Sequence, residues 1–167
     1  GLDLKGGMNV TLEVSVVDVI RAMSNYNTDE NFRQAIQLAK EKQRNSQDDF
    51  VTLFGQSFFE ISPEGKLASI FYTPELKDKI NSNSTNDEVI GVIREEVEDA
   101  ISRSFNILRS RIDRFGVTQP NIQRLEGSGR ILVELPGVKN PERVRKLLQG
   151  TAQLEFWETF ENTQVIG

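Results

Sequence analysis

Val89, Ile93, Val97, Ile101, Phe105, Leu108, Ile112 and Phe115 recur by steps of three or four, so a helix would carry them as one continuous apolar stripe. At the head of the stripe, Thr85-Asn86-Asp87-Glu88 has the form of a capping box, in which a hydroxyl and a carboxylate satisfy free amides of the first turn. At its tail, Gly116 supplies the residue that most readily ends a helix in the left-handed conformation. Stripe, cap and terminator together predict a single helix of about 28 residues. A chain of 167 residues, 37% hydrophobic and 27% charged, must be organised around this rod; it has material for one ordinary core with an added subdomain.

Strands flank the rod. Met8, Val10, Leu12 and Val14 alternate with Asn9, Thr11, Glu13 and Ser15, the period of a strand that buries one face. Beyond Gly116, residues 121–126 can pair with 130–135 across Gly127-Ser128-Gly129, and Ile131, Val133 and Leu135 alternate. Pro136-Gly137 stops that strand, and Asn140-Pro141 caps and starts a helix whose buried face is Val144, Leu147 and Leu148. Gly150 is expected to end this helix, and Ala152, Leu154 and Phe156 then read as a last strand. The order strand, helix, strand, strand, helix, strand predicts an α+β fold, a ferredoxin-like βαββαβ antiparallel sheet with both helices on one face. Residues 1–15 and 85–167 would form this base domain.

Residues 16–84 interrupt it as an α/β insertion. Val17 and Ile20 begin one helical pattern, and Phe32, Ile36 and Ala39 a second, parted near residues 25–28. Ser57-Phe58-Phe59-Glu60-Ile61, Ser62-Pro63-Glu64-Gly65 and residues 66–72 read as strand, turn and strand. Pro74 can open a short helix. Phe54, Phe58, Phe71 and Tyr72 are the expected core of this subdomain.

Chemistry is narrowed by what the chain lacks. With no cysteine and no histidine, it has no disulfide, thiolate or imidazole metal site, and no Ser-His-Asp or Cys-His catalysis. The adjacent acidic pairs Asp48-Asp49, Asp87-Glu88 and Glu95-Glu96 point in different directions on helices, so they read as solvated or capping charges. A net charge of −5 argues against nucleic acid, and the two central strands carry no aromatic on which a base would stack. The charge is uneven, −7 over residues 1–98 and +2 over the remainder. No apolar run is long enough to span a bilayer.

Four segments carry a resemblance. Gly1-Leu2-Asp3-Leu4-Lys5-Gly6-Gly7 is similar to the signature that follows the first transmembrane helix in the SecD family of protein-export membrane proteins. Asn106-Ile107-Leu108-Arg109-Ser110-Arg111-Ile112-Asp113, with Phe115-Gly116-Val117 and Pro120, resembles the family's helix and turn. Arg130-Ile131-Leu132-Val133-Glu134-Leu135-Pro136-Gly137-Val138 and Gly150-Thr151-Ala152-Gln153-Leu154-Glu155-Phe156 resemble two further family segments. Between residues 16 and 98 the likeness is positional only.

The resemblance implies a first periplasmic domain on the periplasmic face of the bacterial inner membrane, within a multi-pass protein whose membrane helices this chain lacks. It implies SecF and the SecYEG translocon as partners, unfolded exported chains as clients, and no enzyme activity, cofactor, metal or nucleic acid. The domain would contact clients or transmit conformational change in proton-gradient-driven export. Asp3, Gly6, Gly7, Arg109, Arg111, Gly116, Pro136 and Gly137 are the family-motif residues it points to. Each also has a local structural reading: the glycines as joints or caps, Pro136-Gly137 as a strand stop, and Asp3 as an anchor for its loop. A free-standing ferredoxin-like ligand-binding or regulatory domain is the alternative, distinguishable by whether membrane helices flank the chain.

Overall fold

Alternation in the first strand becomes the seam of an antiparallel sheet. In the computed structural model, which describes residues 7–125, 129–155 and 160–165, with backbone alone for 153–155 and 160–165, β1 (Gly7–Glu13) pairs with both β3 (Arg130–Leu135) and β4 (Phe160–Val165). β2 (Asn121–Arg124) pairs with β3, giving four antiparallel strands in the order β2-β3-β1-β4. The chain divides into two units, Gly1–Ser15 with Ile101–Gly167, and Val16–Ala100. Helix α5 (Asn86–Phe115) contributes to both, and the division falls within it.

In the sheet unit, Met8, Val10 and Leu12 stand opposite Leu135, Val133 and Ile131, and all six are fully buried. Burying each such side chain stabilises by about 1.5–3 kcal/mol, and a slip of one residue would turn the whole set to solvent, which fixes the register. Ile101, Leu108 and Ile112 from α5, and Val144, Leu148 and Ala152 from α6 (Pro141–Glu155), are the buried apolar helical residues described in this unit. The hairpin from β2 to β3 forms as anticipated, but its register is one residue from an end-to-end pairing of 121–126 with 130–135: Asn121 stands opposite Glu134 and Arg124 opposite Ile131; Gly127 and Ser128 of its turn lie outside the described residues.

One element differs from expectation. Residues 152–155, read as strand, are the last turn of α6, and the final strand is β4, further along. Gly150 is not a terminator, because its backbone is not left-handed, and the Thr151 hydroxyl donates back to the Leu147 carbonyl at 2.9 Å as a helical residue can. Phe156 lies outside the described residues.

The inserted unit is also not α/β. Residues 16–100 hold only helices: α1 (Val16–Met23), α2 (Glu30–Gln43), α3 (Phe50–Ile61), α4 (Leu67–Phe71), a 3-10 turn Pro74–Leu76 and the first part of α5. The segment expected to form a hairpin is α3, a turn and α4. Phe50, Leu53, Phe54, Ser57 and Phe58 are buried at steps of three and four, and that helical spacing outweighs the short strand-like run within it. Phe32 packs edge-on against Phe54 and Phe71 with ring centroids 5.8 and 5.6 Å apart, and Phe54 meets Phe71 at 6.3 Å. Tyr72, expected in this cluster, is instead 57% exposed.

Side chains cap the helices as their types dictate. Thr85 and Glu88 form both bonds of the capping box at 3.1 Å. Asp49 accepts from the Thr52 amide at 3.2 Å and its hydroxyl at 2.7 Å, and Arg94 of α5 donates to it at 2.7 Å. Partial burial opposes ionisation of Asp49, but the hydrogen bonds from Thr52 and Arg94 outweigh it and hold the carboxyl below its ordinary value. A depressed folded pKa contributes stability at pH values above the unfolded carboxylate range and loses it as pH falls through the folded value. Asp49→Asn keeps the cap acceptor and removes the charge. Its urea midpoint is therefore expected to lie below wild type at pH 7, and the gap to narrow as pH falls below the ordinary carboxylate range. Parallel midpoints throughout would contradict the ion pair's role.

Candidate functional site

Short connections decide which ends of the sheet unit come together. Residues 116–120 join α5 to β2 and residues 136–140 join β3 to α6, so the end of α5, the start of β2, the end of β3 and the start of α6 share one pole. Arg143, in the first turn of α6, lies over the ring of Phe115, the last residue of α5, at 5.1 Å. β1 begins and β4 ends at the same pole, Gly7 pairing with Val165.

Four of the motif residues fall there. Gly7 opens β1, and a Cβ on it would stand 3.4 Å from the Leu135 carbonyl and 3.6 Å from the Pro136 Cα, ordinary contact, so space alone does not demand glycine. Gly116 and Gly137 have φ of 84° and 62°, a left-handed backbone in which glycine is the residue without steric cost. Pro136 and Gly137 are exposed just after β3. Asp3 and Gly6 lie outside the described residues.

The two motif arginines part ways. Arg109 is exposed on α5, whereas Arg111 is half-buried and donates to the Thr151 hydroxyl of α6 at 3.1 Å. That bond ties the motif segment on α5 to the one on α6. Thr151 is completely buried and escaped sequence reasoning, because the alternation after Gly150 placed it at a strand boundary. Its signal was the apolar face Val144, Leu148 and Thr151 at helical spacing. A double-mutant cycle with Arg111→Met and Thr151→Val is expected to give a coupling of about 1 kcal/mol in urea unfolding. Additive effects would mean the bond contributes nothing.

Among the described residues no group of three acidic side chains is placed to hold a metal ion. What the pole offers is a set of turns bordered by exposed cations, among them Arg114, Lys139 and Arg143. The contact between Phe115 and Arg143 had no sequence signal, since the two are distant along the chain.

Comparison with known proteins follows the same residues. Residues 101–161 match the family described as protein translocase subunit SecDF, P1 domain, N-terminal. Protein translocase subunit SecD of Rhodothermus marinus is 44% identical over 93% of this chain and 24% of its own length. SecD of Calditerrivibrio nitroreducens is 33% identical over 97% of the chain and 32% of its own length, and SecD of Salmonella choleraesuis 30% identical over 93% and 26%. The chain thus spans about a quarter to a third of the relatives it matches. No solved structure matches it.

The α+β sheet unit, with its motif-bearing turns, is thereby that of a protein-translocase subunit. More particularly, the chain belongs to the SecD family, as its first periplasmic domain. Proteins of this family are membrane-associated translocase subunits. No helix among the described residues here is long and apolar enough to cross a membrane.

Proposed function

We propose that the chain serves proton-gradient-driven protein export through the Sec translocon as a non-catalytic part of a SecD subunit, working beside SecF and SecYEG. The observation that carries this is the match of residues 101–161 to the translocase family together with 44% identity across nearly the whole chain to a SecD protein. The greater length of the relatives supports it over a free-standing regulatory domain.

The sheet order β2-β3-β1-β4, split by α5 and α6, supports a ferredoxin-like base, with residues 16–84 as an inserted subdomain. Client contact is assigned to the insertion. Tyr26, Phe59 and Tyr72 are 67%, 63% and 57% exposed there, large apolar groups that a folded domain ordinarily covers and an extended apolar chain can use. The motif-bearing pole of the base is assigned the transmission of movement.

Photo-reactive residues at positions 26, 59 and 72 of the full-length subunit, in membranes translocating an arrested preprotein, test the division of labour. Adducts at these positions and none at Asn9 or Gln123 of the sheet are expected. Adducts at the sheet alone, or at none of the sites in an active complex, would reject client contact by the insertion.

A further inference from the structure

The motif-bearing pole also carries charge mainly of one sign. Arg114, Lys139 and Arg143 are exposed there, and none forms an ion pair with a described carboxylate. Among the described residues Arg114 donates to the Ser110 hydroxyl, at 3.3 Å, and Arg143 rests on Phe115. Of the nearby carboxylates among the described residues, Glu142 is paired with Arg145 at 2.7 Å and Glu134 accepts from Asn121 at 2.8 Å, which leaves Asp113. Between the cations sit Phe115, Val117 and Val138, each only half-buried.

Cations beside partly exposed apolar turns and an aromatic ring form a surface that a bilayer interface complements: anionic headgroups attract the cations, while the apolar groups settle at the headgroup boundary. We infer that this pole rests on a membrane surface containing anionic phospholipid. Charge complementarity favours the sheet unit, which carries +2 overall against −7 for the helical unit, and within it the pole that holds Arg114, Lys139 and Arg143. The inference goes beyond the export role and is tested without a translocon, so its failure would leave that role standing.

The test is flotation of the 167-residue chain with phosphatidylcholine vesicles, with and without about 30 mol% phosphatidylglycerol, at about 50 mM salt. Binding is expected only with phosphatidylglycerol, and about 0.5 M salt should abolish it. The triple variant Arg114→Ser, Lys139→Ser, Arg143→Ser should bind at least about tenfold more weakly, because each cation near a charged surface contributes. Lys40→Ser, Arg44→Ser, Lys77→Ser, exposed cations of the helical unit, should bind as wild type. Lys139→Glu, at an exposed position apart from the Arg143–Phe115 contact, checks the result should loss of that contact unfold the triple variant. Equal binding to both vesicles, unchanged binding by the triple variant and Lys139→Glu, or displacement by about 10 mM inorganic phosphate, the mark of a discrete phosphate site, would each overturn the inference.

Discussion

Replacing Phe54 by alanine is expected to lower the stability of the helical unit by about 3–5 kcal/mol, with a matching fall in its urea midpoint. Phe54 is wholly buried, and its ring lies against Phe32 at 5.8 Å, Phe71 at 6.3 Å and Phe58 at 6.5 Å. The cavity would remove transfer energy and edge-to-face aromatic contacts together. A unit of this size has a total stability of roughly 5–10 kcal/mol, so the loss would leave much of it unfolded near physiological temperature. Phe54→Leu, which fills most of the space, should lose much less. Circular dichroism during urea unfolding decides it, and equal midpoints for wild type and Phe54→Ala would mean that this cluster is not the core.

The second large effect lies in the sheet unit. A Cβ at Gly129 would stand 2.6 Å from the carbonyl oxygen of Val14, closer than real side chains come to backbone, and the two residues are already locked by a hydrogen bond from the Val14 amide to the Gly129 carbonyl at 2.8 Å. Neither strand end can retreat without breaking that bond. Gly129→Val is therefore expected to cost about 2–4 kcal/mol, strain and lost hydrogen bond combined. Amide hydrogen exchange should show the loss first in β1 and β3. Full protection there would mean that the close approach is relaxed at no cost.

The elements legible in the sequence are those where several local signals agree. For α5, the stripe, the Thr85-Glu88 box and Gly116 all mark one helix, and it forms over 30 residues. In β1 and β3 the alternation is clean, and every inward residue is buried. Illegible segments are those where local pattern and tertiary packing disagree. Phe58-Phe59 inside a short apolar run looked like strand, whereas the cap at Asp49 and the spacing of Phe50, Leu53, Phe54 and Phe58 mark a helix packed against α2. Likewise, alternation after Gly150 suggested a strand, but burial of Thr151 and Ala152 holds those residues in α6.

The candidate site was half legible for a related reason. Gly116 and Gly137 signal themselves, because a left-handed backbone favours glycine. Arg111 meeting Thr151, and Arg143 covering Phe115, depend on how α5 and α6 pack across sequence separations of 40 and 28 residues, and no spacing within one segment encodes that. The motif was visible as a set of residues, and the pole they share only through the topology.

Pulse-chase export of a secreted precursor, in cells whose only SecD is the full-length subunit carrying Gly129→Val in this domain, tests the central claim most directly. With the subunit present in the membrane at wild-type level, precursor is expected to accumulate and mature protein to appear several-fold more slowly, because a base weakened at the β1–β3 seam transmits movement poorly. Processing at the wild-type rate, with the domain's sheet demonstrably unfolded, would contradict a role for this domain in export.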